Sequence, residues 1–469
     1  MKRGKKHVVI ISVMTLLISL FGASTCKAAS NDIEYCGDFK FKKTVAKTVE
    51  ADGKNDLSSG NVYYVSKSGK DSWKGTEKKP FKTIRYALTK LKKGDTLYIK
   101  GGTYKEEIDI KSEVAGSSNN YITIANAPGE RVILDGTGMD APKLLDIKGA
   151  SYLKIQGIEI RNAVGKYACG VRIGEGSHHI ILCNLVVHDV KVSNQSDVVG
   201  SCNGIVAFGD SAKKSIHDLL FYGNKVYDCE TGWAEAMTVT GNVRNANVIS
   251  NTISNTGNIG IDFAGNYGYC SDPAKDFPVN GLIYGNKVSY CKSKYARAYG
   301  IYVDGGQKIT IAKNTVEKCT GGIEIGAEQK APKDKYATSD ITVKENMVID
   351  NLEKGITVGG YQTGLGWVKR VCVKDNICKN TGNHAILTLS KCSDVEITGN
   401  VFYNSSGDAA VVYSGMSNKY TKNIKFKDNT FYNGHSKDNT YFKYLGKKYK
   451  SFEKWLTVVG KDAGEYSGK

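Results

Sequence analysis

Five short phrases align when written one beneath another: Ala236-Met237-Thr238-Val239, Gly260-Ile261-Asp262-Phe263, Gly300-Ile301-Tyr302-Val303, Gly322-Ile323-Glu324-Ile325 and Gly355-Ile356-Thr357-Val358. Each alternates apolar residues with a third position that faces the other way. Those third positions form an outward column of Thr238, Asp262, Tyr302, Glu324 and Thr357. Asp304 follows Tyr302 on the same face, and Glu235 stands just before the first phrase. Four carboxylates and a phenol thus gather over about four strands, roughly 15 Å at strand spacing. A lone outward carboxylate is ordinarily a solvated surface group. A cluster repels itself unless its members share a proton or a cation, which points to raised pKa values or Ca2+ ligation.

The element that positions this column is written in a second phrase, apolar-x-apolar-x-x-Asn-x-apolar. Its asparagines are Asn184, Asn224, Asn251, Asn286, Asn314, Asn346, Asn376, Asn400 and Asn429, spaced 24 to 40 residues apart, with Gly157 in the same slot one repeat earlier. The alternation marks strands, and the Asn is expected to mark a turn because a short amide tolerates a left-handed backbone. A strand–turn–strand unit of this size cannot bury its apolar face alone, so units stack. Asn side chains then meet on neighbouring rungs and hydrogen-bond in a ladder. A leucine-rich repeat would carry Leu at fixed positions and a helix per unit, and a propeller would show regular spacing. The expected fold is all-β, a right-handed parallel β-helix.

Along the chain, residues 1–28 have the basic start, apolar run and small-residue site of a secretory signal. The run is too short and wrongly flanked for a membrane span. Residues 29–60 form a Lys-rich leader. The β-helix domain is expected over 61–433, beginning with a cap over 61–110. That cap has strands at Val62–Val65 and Thr96–Ile99, and a short amphipathic helix over Pro80–Leu91 with Ile84, Ala87, Leu88 and Leu91 on one face. Rungs proper are expected from about Tyr121. Residues 434–469, with Trp455 and Leu456 on a helix, form a C-terminal cap. The longer excursions, 193–203, 264–280, 292–299, 326–339 and 359–369, are expected to leave one edge of the solenoid and wall a groove.

The chain carries a formal net charge of +18, and losing the signal's five cations leaves +13. That balance suits a polyanionic partner such as an acidic polysaccharide, or simply keeps an extended monomer soluble. No nucleic-acid-binding motif is present. Eleven cysteines follow the signal, and their spacing fits no zinc pattern. Cys229, Cys291 and Cys319 share one column as small core residues, with Cys291 and Cys319 close enough on successive rungs for a disulfide. His178 and His179 adjoin a strand start, His179 in a slot expected to point inward.

Residues 62–136 carry Tyr63-Tyr64-Val65-Ser66, Gly69-Lys70-Asp71, Gly75-Thr76, Pro80-Phe81-Lys82-Thr83-Ile84, Gly94-Asp95-Thr96, Gly102-Thr103-Tyr104 and Tyr121-Ile122-Thr123-Ile124. This segment resembles the start of family 9 polysaccharide lyases, which are secreted, calcium-dependent pectate lyases with a parallel β-helix. The resemblance places that family's Asp-Asp-Gly-x-Asp calcium motif on Asn258-Ile259-Gly260-Ile261-Asp262 and an earlier calcium ligand on Glu235. The implied metal set is therefore Glu235, Asn258 and Asp262, with Asp304 as a further carboxylate. The family's Gly-x-Lys-x-Gly-Gly strand falls on Gly300-Ile301-Tyr302-Val303-Asp304-Gly305, so Tyr302 stands where the catalytic lysine would be.

Three functions follow as expectations. The first is Ca2+-assisted β-elimination on a uronic-acid polymer, with Tyr302 as base. Arg297 would favour its phenolate or clamp the substrate carboxylate, and Glu324, Tyr267 and Tyr299 would contact substrate. The second is an inverting glycoside hydrolase using two of Asp262, Asp304 and Glu324, the first and last lying two rungs apart. The third is carbohydrate binding without catalysis, with Tyr267, Tyr269, Tyr295, Tyr299 and Tyr361 stacking on sugars. Secretion and a soluble monomer accompany all three.

Overall fold

The computed structural model describes residues 59–193, 200–379, 382, 385–404 and 410–467. The signal and leader segments lie outside these residues apart from 59 and 60. Within them the chain winds through three parallel sheets of 13 strands each. Sheet I runs from Val62–Val65 to Thr421–Lys427, sheet II from Ile108–Lys111 to Lys447–Tyr449, and sheet III from Gly102–Tyr104 to Gly464–Tyr466. Each coil contributes one strand to each sheet, the arrangement of a right-handed parallel β-helix. Parallel neighbours require long crossovers, and here the rest of the coil supplies them. Inward side chains from all three sheets, mostly Ile, Val and Leu, fill one continuous core along the axis.

The ladder forms with one correction. From Asn224 through Asn251, Asn286, Asn314, Asn346, Asn376, Asn400 and Asn429, each Nδ2 donates to the next Oδ1 at 2.9–3.0 Å. The same oxygen also accepts the preceding asparagine's backbone N–H at 2.8–3.0 Å. Each Nδ2 further donates to a carbonyl on the preceding rung, as Asn314 does to Ile283. Asn184 is not in the ladder. It is exposed with φ 52°, and Leu185 N–H meets Asn224 Oδ1 instead. The left-handed turn residue is the one before each ladder Asn: Gly223, Ser250, Gly285, Lys313, Glu345, Asp375, Gly399 and Asp428. The ladder amides sit in the bend with their side chains buried, so their hydrogen-bonding capacity, rather than backbone tolerance, selects asparagine.

The sheets begin earlier than Tyr121, since Val62–Val65 already pairs with Thr96–Ile99. The first helix is shorter than expected, Ile84–Leu88. Thr83 caps its start by accepting Tyr86 N–H, and Ile84, Ala87 and Leu88 cover the first rung. At the other end, helix Phe452–Val459 is capped by Ser451 and seats Trp455 against Phe442, rings 4.4 Å apart and nearly parallel. Phe426 and Phe431 meet the same indole edge-on. Strand Lys447–Tyr449 then pairs antiparallel with Phe442–Tyr444, where every other described pairing within the sheets is parallel. Cys291 and Cys319 are neighbours but both are free thiols.

Candidate active site in the groove of sheet II

Sheet II sets the site's register. Thr238 lies beside Asp262, Asp262 beside Tyr302, Tyr302 beside Glu324 and Glu324 beside Thr357, as the aligned phrases require. The column continues upstream through Val206 to Arg172 and Asp146. A second outward column runs three residues earlier, through Tyr299, Gly321 and Lys354. The excursions wall the groove from both ends of these strands. Residues 265–278, 327–337 and 359–367 follow sheet II strands, whereas 292–298 precedes one. The column therefore faces away from the core yet is covered. Asp262 is 4% exposed, Asp304 1%, Glu324 7% and Tyr302 4%.

A cavity of about 850 Å³ opens here, lined by Glu235, Asn258, Asp262, Tyr267, Arg297 and Tyr302 among others. The structure brings these six candidates around one cavity. Asp304 ends the strand that carries Tyr302, Glu324 lies on the next, and Tyr299 packs beside Tyr302 with ring centroids 6.2 Å apart. Each of these two tyrosines lies over a glycine of the next strand. A Cβ on Gly321 would come within 2.5 Å of the Tyr299 ring, and one on Gly326 within 2.4 Å of the Tyr302 hydroxyl. Close approach, not turning, is what glycine supplies at both positions.

Tyr267 donates a short hydrogen bond to Asp304 and a longer one, 3.2 Å, to Glu328. Glu328 N–H donates to the other Asp304 oxygen at 2.7 Å, and burial raises the Glu328 carboxyl pKa against the pull of the Tyr267 and Tyr302 hydroxyls. Upstream, Thr238 donates to Glu235 at 2.8 Å and accepts from Asn203. Two acceptors in the cavity, Asn258 Oδ1 and Asp262 Oδ1, are buried with no hydrogen-bond donor. Burial raises the carboxyl pKa values, and mutual repulsion raises them further. Glu235 is pushed up to about 7 by burial and by Glu328 and Asp304. Asp304 is pushed up to about 7 by burial and Glu328. Glu324 is pushed up to about 8 by burial, against the pull of Lys354. Asp262 is raised by burial and by Glu235, Asp304 and Glu328.

Tyr302 does not sit as a phenolate. Burial comes first and Asp304, Glu324 and Glu328 follow in pushing its pKa well above the usual phenol value. Arg297 does not offset this. Its guanidinium pairs with Glu353 at 3.0 Å, and its charge acts on Tyr299, Glu324 and Lys354. Two residues escaped the sequence reading. Glu328 opens the 327–337 excursion and carries no strand pattern. Lys354 stands immediately before Gly355, the slot that Tyr299 holds before Gly300, and extending the aligned phrases by one residue would have exposed it. Burial and Arg297 lower the Lys354 ammonium pKa, while Glu324 opposes them.

The donor set suits a hard cation in kind. It is all oxygen, and two of its members lack any donor. The carboxylates are not drawn together around a point, since no three of them bring oxygens within 4.8 Å of one another among the described residues.

The family described as the Pel9A-like right-handed β-helix region matches residues 63–214, and that of right-handed β-helix regions in general matches 144–330 and 267–365. Over its first rungs the chain is similar to the Pel9A-like right-handed β-helix proteins. The Pel9A-like match ends before Glu235, so it covers the first rungs and the upstream wall of the cavity, including Arg172 and Asn203, but none of the candidate metal or catalytic residues. Among relatives, the uncharacterized protein YwoF of Bacillus subtilis is 29% identical over 340 residues, 69% of each chain. Pectate lyase PEL9 of Emericella nidulans is 27% identical over 161 residues, 32% of this chain and 38% of that protein. Among solved structures, the GH136 lacto-N-biosidase from Eubacterium ramulus superposes with a TM-score of 0.50 at 14% identity. It covers 80% of this chain and 68% of that one, a likeness of fold.

Proposed function

We propose that this Pel9A-like protein is an exported carbohydrate-active enzyme whose groove cleaves a uronic-acid-containing polysaccharide by β-elimination. The observation that carries this reading is the pair of buried acceptors without donors, Asn258 Oδ1 and Asp262 Oδ1, beside Glu235 in one cavity. The likeness to a pectate lyase supports elimination over other chemistry. Glu235, Asn258 and Asp262 would hold Ca2+, which when bound supplies positive charge against the substrate carboxylate and its enolate-like form.

The chain's own residues perform the proton work. Elimination breaks a C–H bond α to the carboxylate and the C–O bond to the leaving sugar, and forms a C=C bond between them. Lys354 is the better base. Its amine lies one strand from Glu324 and is driven toward neutrality by burial and by Arg297, whereas burial and the surrounding carboxyls hold the Tyr302 phenol protonated. Glu324, held protonated near neutral pH, is placed one strand away to protonate the departing oxygen. Arg297, half-exposed and oriented by Glu353, meets a substrate carboxylate at the cavity rim.

The test is ultraviolet absorbance of unsaturated uronate, on pectate, alginate and glycosaminoglycans, with and without Ca2+. A rise on one polymer, abolished by EDTA and by Lys354→Met but retained in Tyr302→Phe, is expected. A rise lost only in Tyr302→Phe would return the base to the phenol.

One observation favours a second reading. Glu235 and Asp304 near 7 are poised between acid and base, and Asp262 and Glu324 lie two rungs apart, roughly 9–10 Å between backbones. New reducing ends without unsaturated product would overturn elimination in favour of inverting hydrolysis.

A further inference from the structure

A second constellation lies on sheet I, away from the groove. His178 opens strand His178–Cys183, and His217 sits directly beside it on the next rung, in strand Ile216–Tyr222. Their rings are parallel within 2° and 4.7 Å apart, one strand spacing. His179 would point away in a regular strand. Its backbone is instead left-handed, φ 52°, which brings its ring against both neighbours. Tyr152 on the preceding rung shares that conformation and stacks on it at 4.3 Å, which fixes the imidazole plane. The inward slot expected from the sequence is thereby lost, and His179 is half-buried on the outer wall.

The ring nitrogens converge. His178 Nδ1 and His179 Nδ1 are 2.9 Å apart. All three histidines offer a nitrogen within 4.8 Å of the others, and no other trio of His, Cys, Asp or Glu does so among the described residues. Behind them the buried carboxylate of Asp218 bonds His217 Nδ1 at 2.7 Å and lies 3.6 Å from His179 Nε2. Asn245 donates to its other oxygen at 2.9 Å, which anchors it. Two nitrogens bound to one ion at about 2.0–2.1 Å lie roughly 2.9–3.4 Å apart, so the closest pair already has the separation of adjacent ligands. An imidazole trio backed by a carboxylate that orients a ring is the arrangement of a borderline transition metal and not of Ca2+.

We propose that His178, His179 and His217 bind one divalent transition-metal ion, Zn2+ being the reference, with Asp218 positioning His217. The ion would tie two successive rungs of sheet I. Its fourth position would be open to solvent, because all three imidazoles are only half-buried. This site is independent of the groove and of the function proposed for it.

The test uses the whole chain without an affinity tag, stripped with chelator and titrated with Zn2+ by calorimetry, and with Co2+ by visible absorption. One saturable equivalent is expected, with a Zn2+-dependent rise in Tm. Both should vanish in His178→Ala and His217→Ala, weaken about 10–100-fold in Asp218→Asn and persist in the distant His435→Ala. No saturable equivalent, or one that survives the His178→Ala/His217→Ala double variant, would overturn the proposal. Should those variants fail to fold, the wild-type chain still decides. Zn2+ should shield His178, His179 and His217 from diethylpyrocarbonate and leave the exposed His435 reactive. Equal labelling with and without Zn2+ would sink the site.

Discussion

The asparagine ladder and the acidic column of sheet II are built by the same rule and behave in opposite ways. Each repeats a buried polar side chain at rung spacing. In the ladder every amide is both donor and acceptor, so a copy is its own best neighbour, and each Oδ1 takes two hydrogen bonds from the rung before. Carboxylates only accept. Stacked beside Glu235, Asp304 and Glu328, Asp262 keeps an oxygen with no donor, and three of the cluster's carboxyls are lifted to about 7 or 8. Repetition therefore stabilises one column and strains the other. Balance of donors and acceptors, not burial, separates the column that holds the fold from the one that invites a ligand.

The sharpest way to test that division is to remove a groove residue that does chemistry and no folding. Lys354→Met should lower kcat by about 10²–10⁴-fold on the cleaved polymer with Tm nearly unchanged. A large loss of Tm would show that Lys354 belongs to the structural set.

The reverse experiment belongs to the ladder. Asn314→Ala deletes the bonds to Ile283 and Asn346 and strands two donors of Asn286 in a buried site. At about 1–3 kcal/mol per unsatisfied group, a loss of roughly 2–5 kcal/mol in denaturant unfolding is expected, with activity per folded molecule retained.

Converting one column toward the other gives a smaller effect of opposite sign. Asp262→Asn places a donor among acceptors and removes a charge. Without metal it should raise stability by about 1 kcal/mol while abolishing cleavage and any Ca2+-dependent rise in Tm. A destabilised variant would contradict the frustration inferred here.

The pH response of the chelated protein probes the same column without a mutation. Glu235 and Asp304 titrate near 7 in the fold and about 4 when unfolded. Between those values the native state holds protons that the unfolded chain has released, so stability is greatest below about 4 from these groups and falls as pH rises through 7. Urea midpoints from pH 5 to 8 should decline and flatten when Ca2+ is added. A level profile without Ca2+ would mean the acids are relaxed in solution.

Much of this was legible in residue spacing, because a solenoid converts sequence period directly into spatial neighbourhood. The phrases around Asp262, Tyr302 and Glu324 predicted a column that the sheet register reproduces. What escaped depends on loops and rotamers, which carry no period. Glu328 reaches Asp304 and the tyrosines from an excursion. Arg297 turns to Glu353. The left-handed backbone at His179 overturns its inward assignment. Asn184 shared the ladder's letter without its place, because the turn residue and the ladder residue are consecutive and both favour asparagine, for different reasons.

The reversed strand Lys447–Tyr449, with Trp455 packed on the last coil, gives the molecule an end as well as a cap. Every internal rung offers the next one a parallel edge of the same kind, so nothing in the repeat itself says when to stop, and an unblocked edge is a template for another chain. The antiparallel stop lets rungs be gained or lost in the middle while both termini stay as they are. Each adds about 4.8 Å of groove, so the length of the groove is adjustable by whole-rung duplication.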